Sequence, residues 1–113
     1  MYVRKDSPFY NRQDAIYWYS KAIQIDNNFP WSFANIAYIY MEDGCWELAE
    51  KYLMNALKIK NNSSSIFTNL GIVCERQKKF YQAKSFYEMA LKYELDNKKI
   101  IFLGEKINKI NSL

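Results

Sequence analysis

Apolar residues recur along this chain at helical spacing, and short polar stretches separate one apolar group from the next. Residues three, four and seven positions apart share one face of a helix, so each group predicts an amphipathic helix. We see no alternation of the kind that indicates a strand. The pattern predicts six helices, at about residues 12–25, 30–43, 46–60, 65–77, 80–94 and 97–110.

Residues that favour helix ends support these boundaries. Asn11 is a candidate N-cap for the first helix, and Pro30 suits the first turn of the second. Gly44 is expected to end the second helix, because glycine tolerates the left-handed conformation that follows a C-terminus. The polar run at 61–64 supplies serines and asparagines that can cap the fourth helix.

The apolar pattern also recurs along the chain with a fixed period of about 34 residues, which is typical of solenoids built from pairs of helices. We call this distance the repeat period. Small residues at fixed positions let paired helices approach closely, so we expect Gly71 to meet Ala83 across one pair. The recurring sets are Ala15, Ala49 and Ala83; Tyr19, Leu53 and Tyr87; and Ala22, Ala56 and Ala90.

This pattern resembles the tetratricopeptide repeat (TPR) family. The resemblance implies an all-α fold, a right-handed α–α superhelix (TPR solenoid) of about six antiparallel helices. We expect a TPR domain at 11–110, made of a half repeat (11–29), two full repeats (30–63 and 64–96) and a terminal helix (97–110), with a tail at 111–113. The residues that carry the resemblance are Phe33, Ile36, Ala37, Tyr40, Gly44, Ala49, Leu53 and Ala56, and again Phe67, Leu70, Gly71, Ala83, Tyr87 and Ala90.

The first repeat is expected to lack its first helix. Only residues 1–10 precede the half repeat, and we expect them to be irregular because Ser7 precedes Pro8 and so avoids the helical region. The helix at 12–25 is therefore expected to expose Ile16, Tyr17 and Trp18 on one side. Two explanations stay open: the chain is a fragment of a larger TPR protein, or it self-associates through this helix.

The resemblance implies that the first helix of each pair lines a concave groove that binds a peptide. Asn35 and Asn69 are the leading candidates, since an amide can both donate to and accept from a peptide backbone. The alternative for both is simple exposure to water. Other candidates, for which helix packing or solvation is the alternative, are Trp31, Tyr38, Glu42, Thr68, Ile72, Arg76 and Phe102. We expect no clamp for a terminal carboxylate, because Ser65 and Asn69 stand where the resemblance implies cations.

The net charge of +4, from 16 basic and 12 acidic residues, adds little to this picture. Lysines gather near the end, at Lys98, Lys99, Lys106 and Lys109. We expect a solvated face there and no nucleic-acid partner, because lysine with little arginine carries no base-reading pattern. No window holds the ~20 apolar residues of a membrane span, so no membrane partner is expected either.

Candidate catalytic chemistry is missing from the sequence. There is no histidine, and Cys45 and Cys74 are the only cysteines and are far apart. We therefore expect no metal, no cofactor and no catalytic residue. Without a signal peptide, a cytoplasmic location is expected. The sequence predicts a protein–protein interaction module with a protein or peptide partner; the alternative is a structural segment that forms a homodimer.

Overall fold

A computed structural model describes residues 11–113, and this part of the chain folds into six α-helices without strands. Each predicted helix boundary lies within one residue of the observed one. The all-α helical repeat fold is thereby confirmed, while the prediction for residues 1–10 lies outside the described residues. The helices are α1 (Arg12–Ile25), α2 (Pro30–Glu42), α3 (Trp46–Ile59), α4 (Ser64–Arg76), α5 (Phe80–Tyr93) and α6 (Asn97–Asn111).

The predicted helix ends are confirmed in detail. The side chain of Asn11 accepts a hydrogen bond from the backbone N–H of Asp14 at 3.1 Å. Ser63 caps α4 by accepting from the backbone N–H of Ile66 at 3.3 Å. Pro30 is the first residue of α2. These caps satisfy backbone donors that have no partner inside a helix.

The turns after α2 and α4 share one backbone conformation. Gly44 has a φ of 74°, and Lys78, which lies one repeat period later, has a φ of 62°. Glycine enters this left-handed region freely, whereas a residue with a Cβ atom pays about 1–2 kcal/mol. The connection at Lys78 therefore carries a conformational cost that the Gly44 turn avoids.

The chain forms two compact units, Met1–Ile59 and Lys60–Leu113. In the first unit, α2 packs against both α1 and α3. Tyr19, Ile36 and Ile39 form a buried cluster in this unit. The guanidinium of Arg12 pairs with the carboxylate of Asp43 and donates to the carbonyl oxygen of Ile39 at 2.9 Å, which joins the start of α1 to the end of α2.

In the second unit, α5 packs against both α4 and α6. Its core consists of fully or almost fully buried residues from all three helices, namely Ile66, Phe67, Leu70, Val73, Cys74, Ala83, Tyr87, Ala90 and Leu103. The sequence predicted that Gly71 meets Ala83, and this stays a prediction. The groups closest to a Cβ atom at Gly71 belong to the ring of Tyr87. Gly71 thus makes room for an aromatic ring.

Candidate functional site

A groove runs between α4 and α6 in the second unit. It consists of two adjoining pockets that share Phe102, with cavity volumes of about 210 Å³ and about 570 Å³. We call the smaller one the amide pocket and the larger one the basic pocket, and together they form the α4–α6 groove. The amide pocket is lined by Ser65, Thr68, Asn69, Glu94, Lys99, Phe102 and Leu103.

Helical periodicity places the groove residues. On α4, Ser65, Asn69, Ile72 and Arg76 follow one another at intervals of four, three and four residues, so they share one face. The opposite α6 face presents Phe102, whose side chain is 40% exposed although Leu103 beside it is buried. The groove therefore offers an amide group and an exposed aromatic ring at its centre.

Positive charge dominates the basic pocket. Its lining contains four basic side chains and one acidic side chain, together with the rings of Phe80 and Phe102. The basic residues come from the end of α4, the turn after it and the second half of α6: Arg76, Lys78, Lys106 and Lys109. The single acidic residue is Glu75.

Glu75 is already engaged by two neighbours. The hydroxyl of Tyr87 donates to its Oε1 atom at 2.7 Å, and the Nζ atom of Lys106 lies 3.2 Å from the same oxygen. Burial alone would raise the pKa of Glu75, but the bonds from Tyr87 and Lys106 outweigh it, so the pKa is lowered. Burial, and then the bond to Glu75, raises the pKa of Tyr87. Glu75 therefore stays ionised and offsets part of the charge of Lys106.

Lys106 connects this network to the groove. Its Nζ atom lies 5.7 Å from the centre of the Phe102 ring, so one ammonium group faces both Glu75 and the aromatic ring. Tyr87, Glu75 and Lys106 belong to α5, α4 and α6, so the chain of contacts spans all three helices of the unit. The buried hydroxyl of Tyr87 thus helps to fix the position of a groove lysine.

Glu94 closes the other end of the groove. Its Oε1 atom accepts from the hydroxyl of Ser64 at 2.9 Å, and its Oε2 atom accepts from the backbone N–H groups of Leu95 and Asp96 at 3.0 and 3.3 Å. The hydrogen bond from Ser64 is the main reason that the pKa of Glu94 is lowered. This carboxylate holds the turn before α6 against the start of α4.

The predicted site residues fall into two groups. Thr68, Asn69, Ile72, Arg76 and Phe102 line the α4–α6 groove. The others lie on one face of α2 in the first unit, where Trp31, Tyr38 and Glu42 are exposed and Asn35 is half-buried. That these α2 residues contact a ligand stays a prediction.

The aromatic residues predicted for self-association lie on α1. Tyr17 and Trp18 are 53% and 60% exposed, and their rings meet edge to face with centres 5.2 Å apart. Ile16 differs from them, since it is half-buried and packs against the cluster that contains Tyr19. Of the three residues predicted for self-association, Tyr17 and Trp18 are therefore the exposed ones.

Sequence reasoning missed the lysines of the groove. Lys99 and Lys109 are exposed, as expected, but the sequence did not predict that they and Lys106 line the pockets. These three lysines and Phe102 share one face of α6. Lys98, which the charge pattern also indicated, does not line either pocket. The sequence feature that could have identified them is the spacing 99, 102, 106 and 109, which places these residues on one face of a helix.

The groove offers groups for apolar contact, hydrogen bonding and charge pairing. Among residues 11–113, no three cysteine, aspartate or glutamate side chains come together in a way that would hold a metal ion. In the same part of the chain, no helix is both long enough and apolar enough to cross a membrane. The groups of the groove include one amide, the exposed ring of Phe102, the half-buried ring of Phe80 and several ammonium groups.

Comparison with known proteins identifies relatives of the same architecture. A family model described as TPR repeat matches residues 13–44. The human cell division cycle protein 16 homolog is 29% identical over 90 residues, and the match covers 72% of this chain and 14% of that protein. The chain thus spans only a small part of this curated relative.

Several solved structures are similar over most of the chain. The second TPR domain of human RPAP3, in complex with the HSP70 peptide SGPTIEEVD, is 27% identical with a TM-score of 0.77, covering 88% of this chain and 81% of that one. The first TPR of Spaghetti (RPAP3), bound to the HSP90 peptide SRMEEVD, shows the same fold at 23% identity, with a TM-score of 0.80 and coverage of 89% and 78%. The Sgt2 TPR domain from Aspergillus fumigatus shows it at 22% identity, with a TM-score of 0.72 and coverage of 90% and 72%.

Proposed function

We propose that this chain, which belongs to the tetratricopeptide repeat family, is a protein-interaction module that binds a peptide segment of a partner protein in the α4–α6 groove. The observation that carries the proposal is the pairing of the Asn69 amide with the exposed ring of Phe102 in one pocket. Such a site can hold a peptide backbone through the amide and an apolar side chain on the ring. The similar RPAP3 domain in complex with an HSP70 peptide supports this function.

Two further statements belong to the same proposal. The α2 face with Trp31, Asn35, Tyr38 and Glu42 precedes the α4 groove face by one repeat period and is proposed as a second peptide-contact surface.

A cytoplasmic location is proposed because both cysteines are free thiols and Cys45 is exposed, a state that reducing compartments maintain.

Peptide binding is tested with variants of the amide pocket. The chain is incubated with an array of nine-residue peptides that includes SGPTIEEVD and SRMEEVD, and captured sequences are titrated by fluorescence anisotropy. We expect Asn69→Ala to weaken binding about threefold to tenfold, as one lost hydrogen-bonding group would, and Phe102→Ala to weaken it more. Asn35→Ala/Asn69→Ala tests the α2 face as well.

Asn108→Ala is the matched control, because Asn108 is an exposed asparagine on α6 that is not among the groove residues. This control is expected to bind like the parent. Failure of the array to capture any peptide, or equal binding by the Asn69→Ala, Phe102→Ala and Asn108→Ala variants, would overturn the proposal.

A second candidate function is self-association through α1. The observation that favours it is the exposed aromatic pair Tyr17–Trp18, which gives an apolar contact surface. If this surface forms a homodimer, light scattering is expected to show twice the chain mass at high concentration and a monomer after Trp18→Lys. A parent chain that is monomeric at high concentration would remove this candidate.

A further inference from the structure

The net positive charge of this chain comes from its second unit. Lys60–Leu113 contains ten basic and five acidic residues, whereas Met1–Ile59 contains six and seven. Within the second unit, four of the ten basic residues line the basic pocket of the α4–α6 groove. The pocket thus concentrates a charge that the rest of the chain does not share.

The acidic residue of this pocket cannot neutralise it. Glu75 is shared between Tyr87 and Lys106, and both bonds go to the same carboxylate oxygen. Besides Lys106, the lining holds Lys78 and Lys109, which lie in the same pocket as the rings of Phe80 and Phe102. Like charges held together repel one another, so a ligand that supplies carboxylates to this pocket gains more than it would from scattered lysines.

We propose that the basic pocket selects an acidic peptide segment, one that places at least two side-chain carboxylates against Lys106, Lys109 and Lys78 and an apolar side chain on Phe102. This inference rests on the proposed peptide-binding function and adds the chemistry of the peptide. A lone terminal carboxylate would face only one of these three lysines, whereas consecutive Asp or Glu side chains can face several of them. The amide pocket on the other side of Phe102 holds the backbone of the same peptide.

Electrostatic selection of this kind predicts a strong dependence on salt. Lys109 is exposed, and Lys106 is only partly buried, with 29% of its side chain accessible. Charges at such positions are screened as ionic strength rises, since the Debye length falls from about 10 Å at 0.1 M salt to about 3 Å at 1 M. Binding of an acidic peptide should weaken with salt, whereas binding of its neutral counterpart should change little.

The experiment compares two charge reversals, one in the groove and one outside it. Lys109 and Lys92 are both exposed, both lie in the last turn of a helix, and both follow a glutamate four residues earlier, Glu105 and Glu88. Lys109→Glu and Lys92→Glu therefore change the net charge equally, and each removes an oppositely charged pair four residues apart on a helix. Lys92→Glu also removes the contact between the Nζ atom of Lys92 and the ring of Tyr93. Only Lys109 lines the basic pocket, whereas Lys92 lies on α5.

Four probes are titrated against each protein by fluorescence anisotropy. They are a nine-residue peptide with one isoleucine among four Glu and Asp residues, the same peptide with Gln and Asn in their place, the acidic peptide with an amidated C-terminus, and a single-stranded oligouridine. We expect the acidic peptide to bind the parent at least about tenfold more tightly than the neutral one, with amidation changing little. Lys109→Glu should weaken the acidic peptide about fivefold to twentyfold and leave the neutral one unchanged, while Lys92→Glu behaves like the parent.

The outcomes separate this inference from the function on which it rests. Equal binding of the acidic and neutral peptides overturns the acidic preference while peptide binding stands. Three other results also overturn it. Equal weakening by Lys109→Glu and Lys92→Glu would assign the affinity to overall charge, and loss of affinity on amidation would assign it to a terminal carboxylate. Tighter binding of the oligouridine would assign it to phosphates. Failure of every peptide to bind overturns both proposals.

Discussion

The contact between Gly71 and Tyr87 gives the sharpest test of the packing. A Cβ atom at position 71 would lie 2.5 Å from Cδ1 of Tyr87 and closer still to Cε1. Ordinary contacts between carbon atoms are about 3.5–4.0 Å, so Gly71→Ala forces an overlap. The ring has little freedom to move, since Tyr87 is fully buried and its hydroxyl is bonded to Glu75 at 2.7 Å.

Two opposing effects set the size of the change. Alanine stabilises a helix interior by about 1 kcal/mol relative to glycine, and overpacking a core costs about 1–3 kcal/mol. At Gly71 the cost of the overlap is expected to equal or exceed the gain in helix stability. At Gly104, the glycine of α6 with open space around a built Cβ atom, only the gain applies. The free energies of unfolding of Gly71→Ala and Gly104→Ala should therefore differ by about 1–3 kcal/mol, with Gly104→Ala the more stable.

Urea unfolding followed by circular dichroism measures this difference, and the chain itself provides a rescue. The corresponding pair one repeat period earlier is Ala37 and Leu53, both fully buried. Alanine thus fits where leucine replaces the ring, so Gly71→Ala/Tyr87→Leu should lose less stability than the two single changes added together. If Gly71→Ala resists urea better than the parent, as Gly104→Ala should, the steric reasoning is wrong.

Three other changes test the caps, the core and the charge network. Ser63→Ala removes the acceptor for the N–H of Ile66 and should lower the free energy of unfolding by about 1 kcal/mol; an unchanged urea midpoint would contradict this. Ala83→Leu should overpack a fully buried site and cost about 1–3 kcal/mol, seen as a lower melting temperature. The pKa of Glu75 lies below its usual 4.5, so its stabilising effect is present above that pH and is lost as the pH falls through the lowered pKa. The parent should be more stable than Glu75→Gln at neutral pH, and the two should converge in acid.

The helices and their ends were predictable because they depend on local sequence. Helical spacing and the residues Asn11, Pro30 and Gly44 act through the backbone of a few neighbours, and these predictions were confirmed. The buried Ile39 was missed, as was Val73 at the equivalent position one repeat period later. It lies outside the stripe of small residues that guided the prediction, and its burial comes from packing near Tyr19.

The candidate site was less predictable because it depends on pairs of distant side chains. The sequence indicated Asn69 and Phe102, which do line the groove. It gave no reason to place Lys106 beside Glu75, since that pairing follows from how α6 lies against α5 and α4. A lysine on a helix has the same sequence signal whether it faces water or a pocket, and only the packing distinguishes the two.

In the left-handed turn at Lys78, the residue that would make the protein most stable differs from the residue that would serve the proposed binding of an acidic peptide. Glycine would enter this conformation freely, as at Gly44, but it would remove one ammonium group from the basic pocket. Under the proposed acidic preference, a library selected for heat resistance alone should converge on glycine at this position. The same library selected for capture of an acidic peptide should retain lysine. A lysine in this costly conformation would then be explained by selection for ligand binding.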